Sequence, residues 1–226
     1  MGMFNLKRGF LLLYIGLTLV TNTGLVAGSI PAIPQIKKIR EALTQIKPFK
    51  VLFLQEVFTD EAEQADIRES GEIIFKNDRA LKWTYLDPDY KVFLLEGDDY
   101  RFYDQDNEQL IIGKIQDKSR QWVWQVLFSD DLVRSSQIGW DENQKTLRIR
   151  HDPDARADES GEWGDAAIDI EVTVNNEFLP VKVLQKDPAG ARILYYFKEY
   201  TPHVEISDET FRLTVPDDVE IIREES

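Results

Sequence analysis

The chain of 226 residues contains no cysteine and only two histidines. The first absence excludes disulfides and thiolate-ligated metals. It also removes the lipobox cysteine, so the chain is not itself a lipoprotein. Basic residues are short as well: 27 Lys and Arg stand against 41 Asp and Glu, a formal charge of −14. Such a charge opposes binding to nucleic acid or to anionic lipid headgroups and favours solubility. No Gly-x-Ser-x-Gly, His-Glu-x-x-His or Gly-rich phosphate loop occurs, and His151 and His203 stand in no recognisable catalytic setting. The expectation is a non-enzymatic protein without cofactor. The acidic run Asp152-x-Asp154…Asp158-Glu159 lacks the ordered spacing of a calcium loop and reads as a solvated loop.

Apolar length is confined to the N-terminus. Lys7 and Arg8 precede an apolar core from Phe10 to Val20, and small residues follow at Val26-Ala27-Gly28-Ser29. This is the pattern of a cleaved secretion signal over residues 1–28, with an uncleaved N-terminal anchor as the alternative. Removing it deletes two basic residues and no acidic one, leaving 25 against 41, a charge of −16. Residues 29–226 then suit a single domain with a real core.

The richest stretch is Glu72 to Lys114. Strand-like runs at Glu72–Lys76, Leu81–Tyr85, Lys91–Leu95, Tyr100–Tyr103 and Gln109–Ile112 are separated by turn residues. Ile73-Ile74-Phe75, Val92-Phe93-Leu94-Leu95 and Leu110-Ile111-Ile112 do not alternate and so present apolar groups on both faces. Helices, another sheet or a hydrophobic ligand must cover the second face. Before this meander, Gln35 to Lys47 reads as an amphipathic helix with Ile36, Ile39, Leu43 and Ile46 on one face, stopped by Pro48. Phe49, Val51 and Phe53 then share one face of a strand that Gln55 closes. Later strands are expected at 136–140, 146–150, 167–174, 179–186 and 191–200. A last pair, 210–215 and 219–222, flanks Pro216-Asp217-Asp218. Ser119 to Phe128 reads equally as strand or helix. The fold class is mainly β with helices: about eleven strands in a strongly curved antiparallel sheet or incomplete barrel, with helices over one side.

These residues resemble a family, the periplasmic outer-membrane lipoprotein carriers (LolA family). Phe49-x-Val51-x-Phe53-x-Gln55, Ser70-Gly71-Glu-Ile-Ile-Phe-Lys76, Leu81-Lys-Trp83-Thr-Tyr85 with Pro88, and Gly97 with Tyr100-Arg-Phe-Tyr-Asp104 and Glu108-Gln109 are similar to its successive strands. Leu179-Pro180, Asp187-x-x-Gly190 and Phe211–Pro216 are similar to its closing hairpins. The resemblance implies a hydrophobic cavity under a helical lid, holding the acyl chains of lipoprotein cargo. That cargo would come from an inner-membrane release complex and pass to an outer-membrane acceptor, carried by a periplasmic monomer. A sensing or interaction protein on the same fold, without shuttling, is the alternative. Candidate lipid-binding residues are Phe53, Phe75, Leu81, Trp83, Tyr85, Phe93, Leu95 and Phe102, with Trp122 and Trp124 on the lid; the alternative for each is ordinary packed core. Leu81 stands where the family has an apolar residue implicated in handover. Where the family has Lys-Arg-Pro this chain has Lys76-Asn77-Asp78, and Arg79 is the candidate to latch the lid.

Overall fold

The computed structural model describes residues 33–59, 63–77, 79–114, 133, 136–151, 168–186, 190–207 and 209–224. The first element is α1 (Ile33–Ile46), with Pro34 in its first turn. Ile36, Ile39 and Leu43 fall on one stripe and are buried, while Lys37, Lys38 and Glu41 face outward. Pro48 cannot extend the helix. The carbonyl of Ile46 is taken instead by the His203 N–H at 3.1 Å, and that of Pro48 by the Val204 N–H at 3.0 Å. The helix end is thereby tied to the far end of the chain.

Twelve strands form one sheet. They are β1 (Phe49–Phe58), β2 (Ile67–Asn77), β3 (Ala80–Asp87), β4 (Lys91–Glu96), β5 (Asp99–Asp104) and β6 (Gln109–Lys114), then β7 (Ser136–Asp141), β8 (Thr146–His151), β9 (Ile168–Val174), β10 (Pro180–Lys186), β11 (Arg192–Pro202) and β12 (Glu220–Arg223). Their order is β12-β6-β5-β4-β3-β2-β1-β11-β10-β9-β8-β7, so the sheet is open. Several hairpins turn on the same chemistry, an Asx side chain accepting backbone N–H groups. Asp104 receives Asp106 and Asn107, Asp141 receives Asn143 and Gln144, and Asn175 receives Glu177 and Leu179.

One face, here the inner face, carries the main core. Alternate residues of β1–β5 and β8–β11 join Ile36, Ile39 and Leu43 of α1 in a single buried cluster. The periodicities of two for strands and 3.6 for the helix bring these residues together. On the outer face of β4–β6, Val92, Leu94, Tyr103 and Leu110 are also buried, yet they stand outside that cluster. The C-terminal segment leaves the β1 side of the sheet at Val204 and reaches β6 at Glu220, whose N–H bonds the Glu108 carbonyl at 2.9 Å. Asp218 lies close enough to Tyr103 to add to the rise that burial and Tyr90 cause in its phenol pKa. Phe211, Leu213 and Val215 on this segment are half-buried, and Arg212 and Thr214 between them are exposed.

Two expectations change. Twelve strands, not about eleven, are present among the described residues. The second helical candidate, Ser119–Phe128, lies outside the described residues. The last pair is not a hairpin. Thr210 and Phe211 sit in a turn, residues 212–216 have no ladder partner, and β12 pairs with β6 in parallel. The alternation at 211–215 records a segment with one half-buried side rather than a strand within the ladder.

Candidate functional site

Cross-strand registers set out the inner face in rows. The first runs Phe49, Phe75, Leu81, Leu95, Tyr100 across β1 to β5. The second runs Val51, Ile73, Trp83, Phe93, Phe102 and on to Ile111 of β6. The third runs Phe53, Gly71, Tyr85, Lys91, and the fourth holds Gln55 and Glu69. On the other side of β1 the fourth row continues through Tyr195, Val183, Val172, Leu147 and Trp140. Adjacent rows are two residues apart along a strand, about 7 Å.

Eight of the candidate residues come together here. Phe53, Phe75, Leu81, Trp83, Tyr85, Phe93, Leu95 and Phe102 share one face, and each is 6% exposed or less. Trp122 and Trp124 lie outside the described residues. Arg79 stands in the β2–β3 turn, with its side chain 64% exposed, and bonds Asp98 of the β4–β5 turn at 3.0 Å. It ties two hairpin ends together.

The centre of the face is aromatic. Phe53 meets Trp83 and Tyr85 edge-on at 5.2 and 5.1 Å between ring centroids, and Trp83 meets Tyr195 at 5.4 Å. These edge-to-face arrangements are the ones ring quadrupoles favour. Trp83 on β3 and Tyr195 on β11 are three strand spacings apart, about 14 Å. Closing that gap takes both side-chain reach and a sheet bent toward this face. Gly71 sits between Phe53 and Tyr85 in the third row and contributes no side chain. A Cβ on it would stand 1.9 Å from the Thr84 carbonyl oxygen, so the register shift at Ser70/Gly71 requires glycine there.

The apolar rows end in a polar chain of which the sequence singled out Tyr85 and Gln55 but not Glu69 and Lys91. The Tyr85 hydroxyl donates to Gln55 Oε1 at 2.9 Å, and Gln55 Nε2 donates to Glu69 Oε2 at 3.0 Å. Lys91 Nζ donates to Glu69 Oε1 at 2.6 Å. Gln55 and Glu69 are 7% and 8% exposed. Burial pushes the phenols of Tyr85 and Tyr195 well above their ordinary range, and the Glu69 carboxylate adds to both shifts. Both phenols therefore stay protonated across the neutral range, and Tyr85 donates to Gln55. The signal for Tyr195 was present: Ile193, Tyr195 and Phe197 alternate on a strand whose partner β1 already had an assigned inner face.

Residues 44–214 match the family described as outer membrane lipoprotein carrier protein LolA. The outer-membrane lipoprotein carrier protein of Pseudoalteromonas translucida (strain TAC 125) is 25% identical over 201 residues, covering 87% of this chain and 93% of that one. Among solved structures, an uncharacterised conserved protein from Thermus thermophilus aligns with a TM-score of 0.49 at 10% identity, covering 85% of this chain and 99% of that one. A LolA superfamily protein from Nitrosomonas europaea aligns with a TM-score of 0.45 at 12% identity, covering 83% and 99%. The family match spans the helix end, both halves of the sheet and most of the C-terminal crossing segment, and the chain belongs to the LolA family.

Proposed function

We propose that this protein is a periplasmic carrier that holds the acyl chains of lipoproteins against its inner face and takes them from the inner to the outer membrane. The observation that carries the reading is the apolar inner face itself, with rows from β8 to β5 meeting in one aromatic centre at Phe53, Trp83, Tyr85 and Tyr195. Transfer of an acyl chain from water to such a surface is worth about 0.8 kcal/mol per CH₂. A protein with several chains cannot cross an aqueous space without a host of similar apolarity. No covalent step is needed. The name of the Pseudoalteromonas relative supports the same cargo class.

In this reading residues 1–28 are an export signal and residues 29–226 one domain, acting as a monomer. An inner-membrane release complex supplies the cargo and an outer-membrane acceptor receives it. No helix among the described residues is long and apolar enough to cross a membrane. Protein purified from periplasm should carry acylated protein detectable by mass spectrometry, and the empty protein should bind a diacylated lipopeptide saturably in vitro. Absence of both would overturn the reading. Binding with normal lipoprotein sorting after depletion would assign the protein to sensing rather than transport.

A further inference from the structure

On the β6 side the sheet order ends in β12. This strand is four residues long and runs parallel to β6, a pairing slightly weaker per residue than the antiparallel one. It buries little: Glu220, Ile221 and Arg223 are exposed, Ile221 at 53%, and Ile222 is half-buried. Its hold on β6 and β5 is largely polar. The N–H groups of Glu220 and Glu224 bond the carbonyls of Glu108 and Ile112 at 2.9 and 3.0 Å. Gln109 Nε2 donates to Glu220 at 2.8 Å, and the Tyr100 hydroxyl donates to Glu224 at 2.5 Å. Beneath these bonds lies the edge of β6, whose Leu110, Ile111 and Ile112 put apolar groups on both faces. An uncovered strand of that composition is a template for pairing with another chain. Native sheets blunt such edges with short, charged strands. With Glu220, Arg223 and Glu224, the end of this chain has that character.

We propose that β12 is a detachable edge guard, and that two copies of this chain pair β6 to β6 in antiparallel fashion once β12 is released. The bonds to Glu108 and Ile112 show which backbone groups of β6 face the edge. Alternate residues share that direction, so Leu110 and Ile112 carry the edge N–H and C=O groups. A two-fold axis at Ile111 sets Leu110 opposite Ile112 of the second copy. The same register sets Glu108 opposite Lys114 of the second copy, so opposite charges meet at both ends. Such a contact is self-complementary and closes at two copies. The inference does not depend on what the inner face binds. It gives the C-terminal segment the role of keeping the sheet edge occupied and the chain monomeric.

The test compares residues 29–226 with a form ending at Val219, which lacks β12. In sedimentation velocity the longer chain should stay monomeric and the shorter one should dimerise. Its dimer dissociation constant should be lower by about tenfold or more, the worth of roughly one or two net hydrogen bonds. A synthetic peptide of residues 217–226, added in excess, should return the shorter form to monomer. A second variant keeps the whole chain. Gln109 and Glu220 are register partners, so Gln109→Cys with Glu220→Cys brings two thiols within disulfide reach and locks β12 down when oxidised. In urea below the unfolding transition the reduced form should dimerise and the oxidised form should not. A shorter form that stays monomeric, a dimer that the peptide does not reverse, or equal behaviour of the oxidised and reduced forms would overturn the inference. The disulfide comparison decides the matter where the shorter form does not fold.

Discussion

Gly71→Ala is the substitution most sharply determined by the geometry. The added Cβ meets the Thr84 carbonyl oxygen at 1.9 Å and the Tyr85 Cα at 2.9 Å. Both are backbone atoms, so no rotamer change relieves the contact. Strands β2 and β3 must part by more than about 1 Å before ordinary van der Waals separation returns. Overpacking of this kind costs about 1–3 kcal/mol, and the ladder bonds loosened beside Glu72↔Thr84 add about 1 kcal/mol. The sum is about 3 kcal/mol, or roughly 6–12 °C in Tm for a domain of this size. Gly190→Ala is the control: its φ is +92° but nothing lies within 4 Å of the added Cβ, so only conformational strain of about 1 kcal/mol applies. Urea unfolding of both variants separates the effects. A Gly71→Ala protein within about 0.5 kcal/mol of wild type, or less perturbed than Gly190→Ala, would show that the register shift does not need glycine.

Lys91→Met should cost about 2–3 kcal/mol, because it leaves the Glu69 carboxylate, 10% exposed, with only the Gln55 amide for a partner. Adding Glu69→Leu should recover part of that loss, and strictly additive costs in urea unfolding would refute the coupling. Among the eight tyrosines, Tyr85, Tyr195 and Tyr200 have phenol pKa values raised chiefly by burial above the ordinary value of 10. The unfolded chain therefore loses protons first, so stability is unaffected below about pH 10 and falls as pH rises beyond it. These three should ionise only with unfolding, and tyrosinate absorbance appearing from all eight before loss of near-UV circular dichroism would contradict their burial.

Helix α1 and strand β1 were legible because single-period patterns dictate them, and the Glu72–Lys114 meander because turn residues separate its apolar runs. Ile36, Ile39 and Leu43 have one helical face to occupy, and Phe49, Val51 and Phe53 one strand face. Once Phe53 pointed inward, pairing through β2 and β3 put Trp83 and Tyr85 beside it. Direction of the C-terminal elements was not legible. Phe211, Leu213 and Val215 alternate as a strand does, and periodicity reports which side of a segment is covered rather than whether it has ladder partners. The polar chain was hidden for a different reason. Glu69 and Lys91 look like ordinary surface charges, and only the register brings them 2.6 Å apart beneath the aromatic rows.

The two faces of the meander therefore answer to different needs. Val92, Leu94, Tyr103 and Leu110 required a cover on the outer face, and all four are buried there by the protein itself, with Asp218 of the C-terminal segment beside Tyr103. The excess of apolar residues in that run is thus no measure of a ligand pocket. Removing those outer residues from consideration leaves the inner rows, where Phe93, Leu95 and Phe102 stand with Trp83. There the aromatic centre of Phe53, Trp83, Tyr85 and Tyr195 passes into the polar chain of Tyr85, Gln55, Glu69 and Lys91, and it is this inner apolar face, not the outer one, on which the acyl-binding reading rests.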